Sequence, residues 1–262
     1  MARMRHEIGL DVETTGSGPD IVLLHSLLSD RSSFVPLARR LAGERRVSLV
    51  NLPGFGASPP AEPIDGYAER VADLCATLGP GKPDIVGNGL GSFVALAAAI
   101  RHGARLGRLV LLGCAVRFPD QARVTFTGLA AKAHQAGMAA IADIAMARMF
   151  PEDFMAAHPD IVAERKAVFL AIDPAAFAAA ATALATLDLS ASLERISNSV
   201  LVAVGEKDGA TPPALGRALA GQLPDARFVE LPGVGHAPHL QALDLLIATI
   251  GPFLGLDGGR PG

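Results

Sequence analysis

The sequence predicts an α/β fold built on a mostly parallel sheet. Apolar runs of strand length recur along the chain, and segments with helical periodicity separate most of them. Strands that alternate with helices require crossover connections, which place successive strands parallel. The expected helices include Ser32–Leu41 and Tyr67–Leu78. The expected strands are Ile21–Leu24, Val47–Val50, Asp84–Val86, Leu109–Leu112, Val200–Val204 and Arg227–Leu231.

The regular alternation stops after Leu112. From 118 to 190 no strand-like run occurs, and Pro151, Pro159 and Pro174 divide the stretch into short helical segments. The alanine-rich part, Ala175–Leu187, keeps the apolar spacing of a packed helix. A helical block between two strands predicts a cap, so we expect a core of residues 1–117 and 191–262 with a cap at 118–190.

The two ends of the chain carry weaker signals. Glu7–Glu13 alternates between polar and apolar residues, and the turn Gly16-Ser17-Gly18-Pro19 follows it. This pair of features predicts an antiparallel strand or hairpin at the sheet edge. The glycine-rich tail Gly255–Gly262 is expected to fray.

Composition argues against several classes of partner. The 262-residue chain has a net charge of -3, which gives no basic surface for nucleic acid, and no segment has a cationic amphipathic face for a membrane. Met1–Thr15 lacks the apolar core of a signal peptide, and Phe93–Ile100 is too short to span a bilayer. Cys75 and Cys114 lack metal-ligand spacing. We therefore expect a cytoplasmic protein without a nucleic-acid or membrane partner.

The most informative motif lies between a strand and a helix. Gly87-Asn88-Gly89-Leu90-Gly91 follows the strand Asp84–Val86 and precedes an apolar helix. This is the context of the nucleophile elbow G-x-S-x-G, which presents a serine at the top of a parallel sheet. Here Gly89 stands where the serine is expected, so the turn is predicted without its nucleophile.

Four further motifs occur in a fixed order around this turn. They are His25-Ser26-Leu27, Asn51-Leu52-Pro53-Gly54-Phe55-Gly56, Gly205-Glu206-Lys207-Asp208 and Gly233-Val234-Gly235-His236, and each follows a predicted strand. Together with the elbow they resemble the α/β-hydrolase superfamily, in particular 3-oxoadipate enol-lactonases and small carboxylesterases. The resemblance covers nearly the whole chain and implies the α/β-hydrolase fold. It also implies a small-molecule substrate, with no metal or organic cofactor.

The resemblance also implies roles for individual residues. His236 matches the general base and Asp208 the acid that orients it, in the family's chain order. A carboxylate bonded to one imidazole nitrogen fixes the tautomer, so the other nitrogen can accept a proton. The backbone amides of Leu27 and Leu90 match the oxyanion hole.

Other residues are candidates of lower rank. Ser26 is expected to line the pocket, and His25 is a substrate-binding candidate that also suits a role in loop architecture. The helical block supplies Arg117, Arg123, Arg148 and His134 as groups that could meet a substrate carboxylate, of which Arg123 and His134 are retained as substrate-binding candidates. Ser92, one residue past the elbow, is not expected to replace the nucleophile.

Gly89 leaves three hypotheses open. In the first, His236, oriented by Asp208, acts as a base. It activates a water that attacks an ester, lactone or enol-lactone, or it removes a proton next to a carbonyl group. In the second, the pocket binds a ligand without turnover. In the third, the chain is an engineered serine-to-glycine form of an ordinary hydrolase. A dinucleotide fingerprint is a weak rival, because Ser92 replaces its last glycine and the next strand ends without an acidic residue for a ribose.

Overall fold

The computed structural model describes residues 2–5, 9–61 and 63–256. Within these ranges eight strands form one sheet, in the order β1-β2-β4-β3-β5-β6-β7-β8. The strands are β1 (Ala2–Arg5), β2 (Asp11–Thr15), β3 (Asp20–Leu24), β4 (Arg46–Asn51), β5 (Asp84–Asn88), β6 (Leu109–Leu112), β7 (Val200–Gly205) and β8 (Ala226–Leu231). The pairs from β4 to β8 are parallel, whereas β1 and β2 are antiparallel additions at one edge. The predicted α/β-hydrolase fold is confirmed.

The helices lie between the strands and after the last of them. They are α1 (Val35–Leu41), α2 (Asp65–Thr77), α3 (Leu90–His102), α4 (Asp120–Ala136), α5 (Ala142–Met149), α6 (Glu152–Ala157), α7 (Pro159–Leu170), α8 (Pro174–Thr186), α9 (Pro213–Ala220), α10 (Pro238–Gln241) and α11 (Leu243–Leu254). Among the described residues no single helix is long and apolar enough to cross a membrane. Helices α7 and α8 taken together have the length and apolar composition of a membrane span, but a bend of 98° separates them.

The six predicted core strands are all present, with ends that differ by one or two residues. The predicted edge strand is displaced. Asp11–Thr15 forms β2 and pairs with both β1 and β4, while residues 7 and 8 of the expected run lie outside the described residues. Part of the expected frayed tail, residues 257–262, also lies outside them. Helix α1 begins later than expected, because a 3₁₀ turn at Arg31–Phe34 precedes it and Pro36 stands in its first turn.

Burial on both faces explains why the central strands read as continuous apolar runs. All five residues of β5 and all six of β7 are buried, because helices cover both sides of the sheet. Leu111 on β6 packs into the larger hydrophobic cluster with α2, α3 and the helices between β6 and β7. Its neighbour Leu112 packs into a second cluster with α1 and α11. The carboxyl ends of these strands are therefore held in fixed relative positions.

Residues 118–190, here called the helical insertion, contain α4 to α8 and no named strand. Helix α4 packs along α8. Helix α8 begins where Pro174 occupies its first turn and the Asp173 carboxylate accepts a hydrogen bond from the Ala176 amide at 2.8 Å. An isolated bridge between Arg117 and Asp188 joins the two ends of the insertion.

Candidate active site

The turn after β5 has the backbone of a nucleophile elbow and no side chain at its apex. Gly89 has φ 50° and ψ -116°, a conformation that side chains rarely adopt. Its amide donates to the Leu112 carbonyl at 2.9 Å, which ties the turn to β6. A Cβ atom on Gly91 would lie 2.1 Å from the Leu24 carbonyl oxygen, so only glycine allows this close approach of α3 to β3. The turn is intact as a backbone structure.

Two buried side chains on neighbouring loops form the predicted acid–base pair. His236 follows β8 and Asp208 follows β7, and His236 Nδ1 lies 2.9 Å from Asp208 Oδ2. The other carboxylate oxygen, Oδ1, accepts from the amides of Ala210 and Thr211, each at 2.8 Å. Asp208 is thereby fixed as an acceptor, so Nδ1 of His236 carries the proton and Nε2 has a free lone pair.

The backbone of His236 is held as firmly as its ring. Its amide donates to the Met149 carbonyl at 3.1 Å, and its carbonyl accepts from the Asn88 side-chain amide at 2.8 Å. Asn88 belongs to the elbow strand and Met149 to the helical insertion. His236 is therefore anchored to both the elbow strand and the helical insertion.

Sequence reasoning missed a hydrogen-bonding neighbour of Nε2. The Ser26 hydroxyl lies 3.5 Å from His236 Nε2 and accepts a long hydrogen bond from the Leu28 amide at 3.4 Å. Ser26 is buried and lines the cavity, as expected, but its contact with the base was not foreseen. The available signal was its position directly before Leu27, one of the predicted oxyanion residues.

The predicted oxyanion donors face the same space. Leu27 and Leu90 line the cavity together with Gly89 and His236. Leu90 is the first residue of α3, where a helix leaves its amides without intrahelical partners. Within the described part of the chain neither the Leu27 nor the Leu90 amide donates to another residue. Both N–H groups are therefore available to a substrate oxygen.

His25 supports the loop rather than the substrate. Its Nε2 accepts from the Leu52 amide at 3.0 Å, so Nδ1 is the protonated nitrogen and donates to the Ser26 carbonyl at 2.8 Å. Burial lowers the pKa of His25 to about 4, and the Ser26 carbonyl opposes that shift. Because backbone groups engage both ring nitrogens, the imidazole is not positioned to bind substrate as the sequence suggested.

The cavity in front of His236 is narrow and mostly apolar, with an open volume of about 30 Å³. That volume accommodates on the order of one or two water molecules, so a larger ligand needs the walls to separate. Its lining is Ser26, Leu27, Leu28, Gly89, Leu90, Phe93, Phe118, Phe126, Leu129, Arg148, Leu184, Ala210, Thr211 and His236. The insertion contributes Phe118, Phe126, Leu129, Arg148 and Leu184.

Arg148 is the cationic group that the structure places in this lining. Its guanidinium lies 5.5 Å from the centre of the Phe126 ring and donates to the Ala210 carbonyl at 3.5 Å. Burial lowers the pKa of Arg148, and the nearby Asp208 carboxylate opposes that shift. Within the described residues the guanidinium forms no salt bridge, so it can donate hydrogen bonds to a carboxylate or carbonyl group of a ligand.

The other cations predicted for the pocket lie elsewhere. Arg123 and His134 are both on α4, but neither lines the cavity, and His134 is exposed. The Arg123 guanidinium lies 3.9 Å from the Asp120 carboxylate, one helical turn away. Arg117 lines a neighbouring open cleft of about 560 Å³, which shares Phe118 with the cavity but holds neither His236 nor Gly89. A sequence alone does not show which side chains of α4 reach the cavity; Phe126 and Leu129 do.

The remaining candidate groups lie outside the chemistry. Ser92 is fully buried and its hydroxyl donates to the Leu112 carbonyl at 3.1 Å. Cys75 and Cys114 are buried free thiols, and burial raises the pKa of both, that of Cys75 to about 12. Among the described residues no group of three or more His, Cys, Asp or Glu side chains is placed to hold a metal ion.

Comparison with known proteins agrees with this geometry. The model of the alpha/beta hydrolase family matches residues 21–249. The chain belongs to this family. A pimeloyl-[acyl-carrier protein] methyl ester esterase from Chromobacterium violaceum is 34% identical over 241 residues, which cover 89% of this chain and 93% of the relative. A protein of the same description from Neisseria meningitidis is 33% identical over 258 residues, covering 91% and 96%.

Solved structures of two other hydrolases have the same fold. The enol-lactonase from Burkholderia xenovorans superposes with a TM-score of 0.89 at 29% identity, covering 97% of this α/β-hydrolase and 100% of the lactonase. A thermophilic esterase from Thermogutta terrifontis superposes with a TM-score of 0.85 at 29% identity, covering 94% and 93%. The resemblance to enol-lactonases and esterases inferred from the sequence motifs is confirmed.

Proposed function

We propose that this α/β-hydrolase hydrolyses a small carboxylic ester with an apolar acyl chain. The observation that carries the proposal is the pair of His236 and Asp208 at 2.9 Å, with Nε2 directed toward an apolar cavity. A base held in this way removes a proton from an attacking hydroxyl group. The free amides of Leu27 and Leu90 suit the oxyanion that forms on the scissile carbonyl. The esterase relatives support the same reaction class.

The cavity lining suggests the shape of the substrate. Phe93, Phe126 and Leu129 suit a hydrocarbon chain, and Arg148 suits a carbonyl or carboxylate at a distance from the scissile bond. A chain with a second carbonyl group, as in the pimeloyl esters named for the relatives, has this pattern. A lactone is a cyclic ester that reacts by the same steps, and the enol-lactonase neighbour favours it as the second candidate.

The helical insertion has the role of a cap in this proposal. Residues 118–190 cover the site, and residues 1–117 and 191–262 form the catalytic core. The substrate enters when the walls of the narrow cavity separate. The cytoplasmic location expected from the sequence belongs to the same proposal and is compatible with two buried free thiols.

A paired activity screen tests the proposal. The chain, His236→Ala and Gly89→Ser are assayed on p-nitrophenyl esters of two to eight carbons, on monomethyl esters of dicarboxylic acids and on enol-lactones. We expect turnover that falls by about 10²–10⁴-fold in His236→Ala, the usual range for a lost general base. Turnover by Gly89→Ser alone would identify a hydrolase disabled at residue 89. No turnover by any of the three would favour a ligand-binding protein.

A further inference from the structure

The Ser26 hydroxyl lies next to the position that a side chain on residue 89 would occupy, beside His236 Nε2. A Cβ atom built on Gly89 would lie 2.8 Å from His236 Nε2 and 3.0 Å from Ser26 Oγ. Ser26 Oγ itself lies 3.5 Å from the same Nε2. In a standard elbow the residue 89 side chain would stand between these two groups and the substrate. With glycine there, nothing on residue 89 separates Ser26 from the cavity.

Hydrogen-bond directions orient the Ser26 hydroxyl for proton transfer. Because Nδ1 of His236 donates to Asp208, Nε2 is an acceptor and Ser26 must be the donor across the 3.5 Å contact. The Leu28 amide donates to the Ser26 oxygen from the other side. A hydroxyl that donates to an oriented base, in contact with a cavity, is the arrangement of an activated nucleophile. Such contacts are often long before substrate binds.

Other hydroxyl groups near the site lack this arrangement. Ser92 donates to the Leu112 carbonyl and has no exposed surface. Thr211 lines the cavity, but its amide binds the Asp208 carboxylate, which places it on the acid side of the pair. Within the described residues Ser26 is the one serine in the cavity lining, and its hydroxyl contacts Nε2.

We propose that Ser26 is the nucleophile of a Ser26–His236–Asp208 triad, which takes over the function of the serine absent from the elbow. The inference rests on the proposed esterase function and replaces direct attack by water with a covalent route. The chain order serine, aspartate, histidine is the family's order with the serine moved from the loop after β5 to the loop after β3. Leu27, the residue after Ser26, supplies an oxyanion amide beside the new nucleophile.

The reaction balances in two stages. Ser26 Oγ bonds to the ester carbonyl carbon as its proton passes to His236 Nε2, and the negative charge develops on the carbonyl oxygen. The intermediate then breaks its bond to the alcohol oxygen, which leaves with the proton from Nε2. Water next attacks the acyl carbon and gives a proton to Nε2. The bond from the acyl carbon to Oγ breaks, Oγ recovers that proton, and the carboxylic acid is released.

Covalent labelling of the full chain, with His236→Ala as the comparison, tests this inference directly. The chain is incubated with a fluorophosphonate, and the adduct is located by peptide mass spectrometry. We expect a single adduct on Ser26 that is absent from His236→Ala. A quenched reaction with p-nitrophenyl acetate should likewise show an acetyl group on Ser26.

Two serine variants sharpen the result. Ser26→Ala should lose the label and about 10²-fold or more of the esterase activity, while its melting temperature reports on folding. Ser29→Ala removes a buried hydroxyl three residues away and should keep both label and activity. An unlabelled Ser26, with turnover in Ser26→Ala that still depends on His236, would overturn the inference and leave the proposed esterase intact. An adduct on Thr211 would also overturn it. Absence of both label and turnover in every form would defeat the inference and the proposed function together.

Discussion

The two walls of the cavity hold their polar groups in different ways. On the core wall, the Asp208 carboxylate accepts hydrogen bonds from two backbone amides and from the His236 ring. These bonds restrict the ring to one tautomer. On the insertion wall, the Arg148 guanidinium donates to one carbonyl at 3.5 Å and otherwise lies over the Phe126 ring. In the proposed reaction the core wall carries the chemistry, whereas the insertion wall contacts the acyl chain of the substrate. We therefore expect core-wall variants to change kcat and insertion-wall variants to change KM.

Asp208→Asn should have the largest effect. The substitution retains the size of the side chain but removes the charge that stabilises the protonated imidazole, and an amide nitrogen facing Nδ1 favours the wrong tautomer. We expect kcat on a p-nitrophenyl ester to fall by about 10²–10⁴-fold with little change in KM. Asp143→Asn, which removes an exposed carboxylate paired with Lys166, should leave both parameters unchanged. A loss confined to KM would contradict the division between the two walls.

Acid should destabilise the fold through two buried histidines, His25 and His239. Burial lowers the pKa of His25 to about 4 and that of His239 to about 3, and the His236 and Arg165 charges add to the shift of His239. Both values lie below the ordinary 6.5, so the unfolded chain binds more protons as the pH falls. Stability is complete above pH 6.5 and declines as the pH falls toward 4 and 3. We expect a loss of about 2 kcal/mol for each histidine by pH 5.

His239→Leu separates the two contributions. His239 stacks on Phe34 with ring centres 4.2 Å apart, and neither ring nitrogen has a hydrogen-bond partner among the described residues. Urea unfolding at pH 7.5 and pH 5 should show that the variant loses about 2 kcal/mol less than the parent chain. It should also be at least as stable at pH 7.5, because a buried polar group without a partner has been removed. An identical acid loss in both proteins would exclude His239 as a source of the pH dependence.

Gly89→Ala should strain the turn of the core wall. A side chain at φ 50° and ψ -116° costs about 1–3 kcal/mol, and the new Cβ would lie 2.8 Å from His236 Nε2. We expect the free energy of unfolding to decrease by this amount, and a serine at the same position to behave similarly. Gly128→Ala is the matched control, since a Cβ there meets nothing within 4 Å in the middle of α4. That variant should gain roughly 0.5–1 kcal/mol, so equal effects at the two glycines would contradict the argument from strain.

The same contrast between the walls explains what could be predicted from the sequence. His236, Asp208, Leu27 and Leu90 follow strands, and parallel strands place their carboxyl ends at one edge of the sheet, so the position of each motif was sufficient to bring them together. The insertion has no such constraint. Arg148 lies at the cavity and His134 does not because of how α4 and α5 are rotated, which depends on tertiary packing that no local pattern records. The contact between Ser26 and Nε2 likewise depends on a rotamer rather than a motif.

Arg148→Gln, a variant on the insertion wall, should have the smallest effect, and that effect should be on KM. If the guanidinium binds a carbonyl or carboxylate of the acyl chain, its loss should raise KM about 10-fold for a dicarboxylate monomethyl ester, since one hydrogen bond to a charged group is removed. The KM for p-nitrophenyl butyrate, which has no second polar group, and the kcat for both substrates should change little. Arg123→Gln, from the same insertion but outside the cavity lining, should leave all four values unaltered. A KM raised by Arg123→Gln and not by Arg148→Gln would contradict this prediction. It would mean that Arg123, the residue favoured by sequence alone, contacts the substrate and that α4 rotates from the orientation described above.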